Sequence, residues 1–208
     1  MLAMLETANL VAREPGARRY APGPRVAALG RNVMPNGSLR TVRHAILARL
    51  VEEIGDTCNF TMLDGGTVVN LDRVEAAWPL RMNLSSGSRV PLHCTASGKL
   101  LLVLLPKAPR VRLTEHLALT RYTGATITDP RRLAAELTRI RSQRYATDNE
   151  EYHAGLVCVA VSVVDARKRV CAAIAVHAPV SRMPLKRALE HLPSLRRAAT
   201  SMAATFSD

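Results

Sequence analysis

Aromatic side chains are almost missing from this sequence: one Trp, four Tyr and two Phe among 208 residues. A core must therefore be closed with Leu, Val, Ala, Ile and Met. Lysine is nearly as scarce, occurring only at Lys99, Lys107, Lys168 and Lys186, so the formal net charge of +12 is almost entirely arginine. An excess of that size points to a polyanionic partner, nucleic acid first. The joint abundance of Arg, Ala and Leu is also what codon bias produces, so the charge alone carries about half that weight. The four cysteines, Cys58, Cys94, Cys158 and Cys171, have no CxxC spacing, which signals neither a zinc site nor a disulfide framework and fits a reduced cytoplasm. The longest apolar runs, Leu100–Leu105 and Val170–Val176, are too short to span a bilayer, and no leader-like segment opens the chain. What remains, 48% hydrophobic and 22% charged, is enough for one good core with a small appendage.

Leu2, Leu5 and Leu10 predict a short opening helix, and Pro15-Gly16 predicts a turn in a basic hairpin carrying Arg13, Arg18 and Arg19. With nothing before Met1 to hold them, these pieces read as the edge of a larger module. Val26–Gly30 reads as a connector. Ser38 is placed to cap a helix over Leu39–Ile54, with Leu39, Val42, Ile46, Leu50 and Ile54 on one face and Gly55 ending it. Asp64-Gly65-Gly66 predicts a hairpin between Asn59–Leu63 and Thr67–Val74. Pro79–Leu84 reads as a further strand. Thr95 should cap a helix running to about Leu104, Pro109–His116 a short helix, and Asp129-Pro130 should start one with Leu133, Leu137 and Ile140 inside. Thr147–Tyr152 is polar and reads as extended. Leu156–Val164 and Val170–His177 read as a hairpin buried on both faces, and Pro184–Phe206 as helix interrupted at Pro193. Helices mixed with antiparallel hairpins define an α+β class.

Two stretches hold candidate chemistry. In PLHCTASGKLLLVLLP, His93 and Cys94 are adjacent and diverge, and position 100 is Leu where a cysteine-phosphatase loop needs Arg and a P-loop needs Ser or Thr. A small-residue helix start at Thr95, Ala96, Ser97 and Gly98 could instead offer backbone N–H groups to a carboxylate or phosphate, or simply be a capped helix packed on a sheet. In YATDNEEYHAGLVCVAVSVVDA, an extended backbone puts Asp148 and Glu150 on one face and Asn149 and Glu151 on the other, where paired acids could hold a metal or an arginine. Cys158 reads there as a buried thiol. The bland alternatives are a charged edge and an inert core cysteine.

These residues carry a family resemblance. Asp148-x-x-Glu151, six residues, Cys158-Val159-Ala160 and the closing Asp165 resemble the signature of IclR-type transcription regulators. PLHCTASGKLLL, LDGGTVVNLDRVE and TITDPRRLAAELTRIR follow the same family's order over essentially the whole chain. The sequence departs from the pattern at Arg144, where glycine is usual, and at Val164, where an aromatic or His is usual; both bear on local turn geometry.

The resemblance implies a GAF-like effector domain over residues 56–208, a curved antiparallel sheet flanked by helices. A linker and first helix would occupy residues 24–55. Residues 1–23 would be the remnant of a winged helix-turn-helix whose first helices do not appear, with Arg13, Arg18 and Arg19 as wing contacts to DNA. It implies a bacterial, cytoplasmic, ligand-responsive regulator, a homodimer or tetramer, sensing a small organic or aromatic acid, with no cofactor, metal or membrane role. Carried over by position, Ala96, Ser97 and Gly98 would line the acid end with backbone amides. Asp148 and Cys158 would meet polar groups of the ligand, Leu80 and Met82 would form an apolar wall, and Ala175 and His177 would close the side. Asp148 beside a carboxylate implies a hydroxyl or similar donor on the ligand. Promoter DNA is the family's partner but a doubtful one for so short a DNA-binding remnant, which leaves open a stand-alone ligand-binding or oligomerisation module. A small hydrolase using Cys94 or Cys158 is the enzymatic alternative; the absence of a nucleophile–base spacing or cofactor fingerprint argues against it.

Overall fold

The computed structural model describes residues 1–13, 20–26, 38–77 and 87–206, and it divides into two compact units, Met1–Val42 and Arg43–Asp208. In the first unit, α1 (Leu2–Thr7) leads into β1 (Val11–Arg13), which pairs antiparallel with β2 (Tyr20–Pro22) through Ala12 and Ala21. Gly23 follows because its backbone runs hard against the end of the helix: a Cβ there would lie 2.3 Å from the Asn9 carbonyl oxygen. The expected helix and hairpin are both present. Arg13 is exposed on β1, whereas Arg18, Arg19 and residues 27–30 of the expected connector lie outside the described residues.

The second unit is built on a curved six-stranded antiparallel sheet in the order β5-β4-β3-β8-β7-β6. The strands are β3 (Thr57–Asp64), β4 (Thr67–Val74), β5 (Arg89–Val90), β6 (Tyr145–Asn149), β7 (Leu156–Val164) and β8 (Val170–Pro179). Gly65 takes the left-handed turn between β3 and β4 at φ 61°. The central pair β7–β8 alternates with period two, and its two faces differ in size. Val157, Val159, Val161 and Val163 with Ala172, Ile174 and Val176 point to one side. Cys158, Ala160, Ala173 and Ala175 point to the other.

The bulky face packs on α2 (Ser38–Ile54), α6 (Leu185–Glu190) and α7 (Leu192–Ala203), bringing Leu47, Leu50, Val51, Ala188, Leu195 and Met202 into one cluster. The small face receives α3 (Ala96–Leu104) and α5 (Pro130–Gln143), the latter through buried Leu133, Leu137 and Ile140. Each such side chain contributes about 2 kcal/mol of apolar transfer free energy. Between them runs α4 (Lys107–Glu115). Asp129 caps α5 by accepting the Arg132 N–H, with Pro130 at the first helical position. The break in the last helical stretch falls at His191, just before Pro193. Alternating apolar positions and helix caps thus produce the α+β architecture expected.

Two local expectations fail in part. The expected inner face of α2 holds at Ile46, Leu50 and Ile54 but not at its start, where Leu39 and Val42 are 50% and 49% exposed while Arg43 is buried. The Arg43 guanidinium stacks 4.5 Å from the Phe206 ring centroid and 5.7 Å from that of Phe60, and its Nε donates to Thr205 Oγ1 at 2.8 Å. A cation with aromatic faces and fixed acceptors is comfortable where an unpaired one would not be. The extended reading of Thr147–Tyr152 also ends early, because Glu150 turns at φ 62°. Glu150 therefore does not share a face with Asp148; its carboxylate accepts the Gly155 N–H at 2.7 Å instead. The expected strand Pro79–Leu84 lies outside the described residues, as do Leu80 and Met82.

Candidate functional site

Thr95 begins α3 with its side chain turned both ways. Its Oγ1 accepts the Gly98 N–H at 3.1 Å and donates to the Pro91 carbonyl at 2.7 Å. The Gly98 amide is therefore spent on the cap, and a Cβ at Gly98 would sit 2.6 Å from the Leu92 and Pro91 carbonyl oxygens. Gly98 serves close packing of the helix start. The amides of Ala96 and Ser97 remain as the ones in the first turn that neither the cap nor a preceding helical carbonyl takes.

Those two residues, with Thr95 and Val90, form one wall of a small cavity between the helix start and the sheet. The sheet forms the floor with Asn59, Thr61 and Asn70: Asn59 Nδ2 donates to Asn70 Oδ1 at 3.2 Å, and Thr61 Oγ1 donates to the Ala173 carbonyl at 3.3 Å. The far wall is a row running across neighbouring strands, Asp148 on β6, Cys158 on β7 and His177 on β8. Cys158 Sγ lies 2.8 Å from His177 Nδ1, and His177 Nε2 is buried without a protein partner. Burial, then the nearby Arg73, pushes the imidazole pKa down to about 3, so the ring is neutral. Burial also holds the Cys158 thiol well above its ordinary value. Tyr152 and His153 stand at the mouth, ring centroids 4.3 Å apart, with Tyr122 stacked edge-on to Tyr152.

Asp148 is 4% exposed. Its Oδ1 accepts the backbone N–H of Glu151 at 2.7 Å and of Tyr152 at 3.3 Å. Burial pushes its pKa up to about 7, against those hydrogen bonds. Glu151 turns away to pair with Lys99 Nζ, which is fully buried and also lies 3.5 Å from Glu136 on α5. The two motif stretches thus meet through one internal ion pair, Lys99 with Glu151.

The structure brings Ala96, Ser97, Asp148, Cys158 and His177 around one cavity, whereas Ala175 packs in the small-face core and, like Gly98, is not among the lining residues. Sequence reasoning missed Asn59, Thr61, Asn70 and Tyr152. The signal for the first two is a pair of polar residues two apart in an otherwise apolar strand. His93 and Cys94 do not form a reactive pair: His93 Nε2 bonds the Thr120 carbonyl at 2.9 Å, and burial raises the Cys94 thiol to about 12. Among the described residues, no cluster of three His, Cys, Asp or Glu side chains is placed to hold a metal ion.

A curved sheet closed by the start of a helix over a small, polar-floored cavity defines a sensor domain for a small molecule. Residues 32–204 match the model of the bacterial transcriptional regulator IclR C-terminal family, so the chain belongs to the IclR family of transcriptional regulators, whose members bind small-molecule effectors and DNA. It is 49% identical over 208 residues to the probable transcriptional regulator SauR of Cupriavidus necator, covering 100% of this chain and 82% of that one. The crystal structure of the Thermotoga maritima IclR matches with a TM-score of 0.76 at 29% identity, covering 98% of this chain and 82% of that one. The inducer-binding domain of the Acinetobacter PobR transcription factor, solved as a double mutant in complex with 3-hydroxybenzoic acid, matches with a TM-score of 0.71 at 28% identity. That match covers 78% of this chain and 96% of the other.

Proposed function

We propose that the cavity between α3 and the β6–β7–β8 row binds a small organic or aromatic acid and that its occupancy controls transcription. The acid end sits against the Ala96 and Ser97 amides, where the helix start favours negative charge. His177 and Cys158 contact the ligand's other polar groups, and a hydroxyl or similar donor on the ligand meets Asp148. The observation that carries this reading is the convergence of an unspent helix start and an unpartnered buried His177 nitrogen on the same cavity. The PobR domain, a relative of the same shape, has been solved with an aromatic hydroxy acid.

In this reading residues 1–23 are the end of a winged helix-turn-helix with Arg13, Arg18 and Arg19 toward DNA, residues 24–55 the linker and first helix, and residues 56–208 the effector domain. The protein works in the cytoplasm as a homodimer or tetramer, without cofactor, and does no catalysis. Among the described residues no helix is long and apolar enough to cross a membrane. A thermal-shift screen against small organic and aromatic acids tests the ligand class. A dose-dependent rise that disappears in a folded Ser97→Trp variant supports the reading, and no rise with any acid refutes it. DNA binding that is weak and collapses with added salt would favour the stand-alone module over promoter recognition.

A further inference from the structure

We infer that the acid sensed in this cavity is bound together with one proton, which resides on Asp148. The inference rests on the acid-sensing reading above. Asp148 and the first turn of α3 line the same enclosed space, and among the described residues no cation forms an ion pair with Asp148. The groups around it are accounted for element by element. From α3 and the turn before it come Lys99 and Cys94; from α5, Glu136 and Arg139; from the loop after β6, Glu151, Tyr152 and His153; from β7, Cys158; from β8, His177; and from β4, Arg73.

Each of those cations has an acidic partner already. Lys99 is held by Glu151 and Glu136, Arg139 by Glu136, and Arg73 by Glu75. Three lysine or arginine charges therefore meet three carboxylates around the cavity, and the Asp148 carboxylate is left over. An acid anion arriving at the helix start places a second negative charge in the same low-dielectric space. Two carboxylates confined this way share a proton rather than both ionise. His177 cannot supply compensation, because its ring is neutral; it offers a hydrogen bond and no charge.

The balance is simple: acid anion, one proton from solvent and ionised Asp148 give a complex in which Asp148 is a carboxylic acid donating to the ligand. Because the resting carboxyl already titrates at about 7, the proton is present without ligand in mildly acidic solution and must be taken up in alkaline solution. Affinity is then level below neutral pH and falls above it, by about tenfold per pH unit. Cys94, Cys158 and Tyr152 are all pushed upward by burial, so they do not contribute over that interval.

Isothermal titration with acetate, pyruvate, benzoate and 3-hydroxybenzoate between pH 6 and 9 tests this. Expected is a Kd independent of pH up to about 7 and rising about tenfold per unit beyond it. At pH 8.5, buffers of different ionisation enthalpy should report uptake of about one proton per ligand. Asp148→Asn should flatten the profile and bind more tightly than the wild type at pH 8.5. The buffer comparison on the wild type decides the matter even if that variant does not fold. A bound acid with no proton uptake, or a pH slope that persists in Asp148→Asn, overturns the inference and leaves acid sensing intact. No binding by any of the four acids at pH 6 refutes both.

Discussion

Replacing Lys99 with methionine conserves length and apolar volume but removes a charge that is 0% exposed and bonded to two carboxylates, Glu151 and Glu136. Glu136 keeps Arg139 at 2.7 Å; Glu151 keeps nothing of opposite sign among the contacts described. An internal carboxylate stripped of its partner costs about 3–5 kcal/mol, which in a domain of this size lowers Tm by roughly 6–20 °C. Urea unfolding followed by circular dichroism gives the number directly. The defect should depend on pH. Glu151 already has a raised pKa from burial, opposed by Lys99. Without the lysine its folded pKa rises further above the unfolded value, so the folded state binds more protons and stability falls as pH rises between the two. Lys99→Met should therefore be less damaging at pH 5 than at pH 8. The double variant Lys99→Met, Glu151→Met replaces ions by apolar groups and should return to within about 1 kcal/mol of wild type. A single variant costing under about 1 kcal/mol, or a double variant worse than the single, would refute the claim that this pair locks the two motifs together.

Three further outcomes are expected. Gly98→Ala places a methyl against two backbone carbonyls at 2.6 Å and should cost about 2–3 kcal/mol by the same unfolding assay, with the start of α3 displaced. Arg144 holds φ 63° at the end of α5, so Arg144→Gly should stabilise the protein by about 0.5–1 kcal/mol, read as a small rise in Tm. A thiol reagent at pH 8 should modify Cys171, the partly exposed cysteine, and reach Cys58, Cys94 and Cys158 only on unfolding; rapid, pH-dependent labelling of Cys94 or Cys158 in the native protein would revive the hydrolase reading.

What the sequence made legible was what short-range physics decides. The caps at Thr95 and Asp129, the turn at Gly65 and the doubly buried β7–β8 pair each depend on a few neighbouring residues, and each stands where expected. Arg144 marks the same point from the other side: the family's glycine position is a left-handed one, and this chain occupies it with arginine at some cost. Long-range compensation was not legible. Arg43 is inside because Phe206 and Thr205 come from the opposite end of the chain, 162 residues away. Lys99 is inside because Glu151 waits 52 residues on. The turn at Glu150 defeats a two-residue alternation that the polar run otherwise suggests, and with it the pairing of Asp148 with Glu150.

The two unequal faces of the β7–β8 pair divide the labour of the domain. The valine and isoleucine side bears the frame, and its packing would be upset by any change of volume. On the alanine side, Ala160, Ala173 and Ala175 let the helices lie close to the sheet, and the cavity opens beside them at Ala96, Ser97 and Cys158. Single additions at the cavity wall, Ala96→Val or Ser97→Thr, would reshape what fits without disturbing the valine face behind. Ligand preference in such a domain can wander quickly while the scaffold stands still.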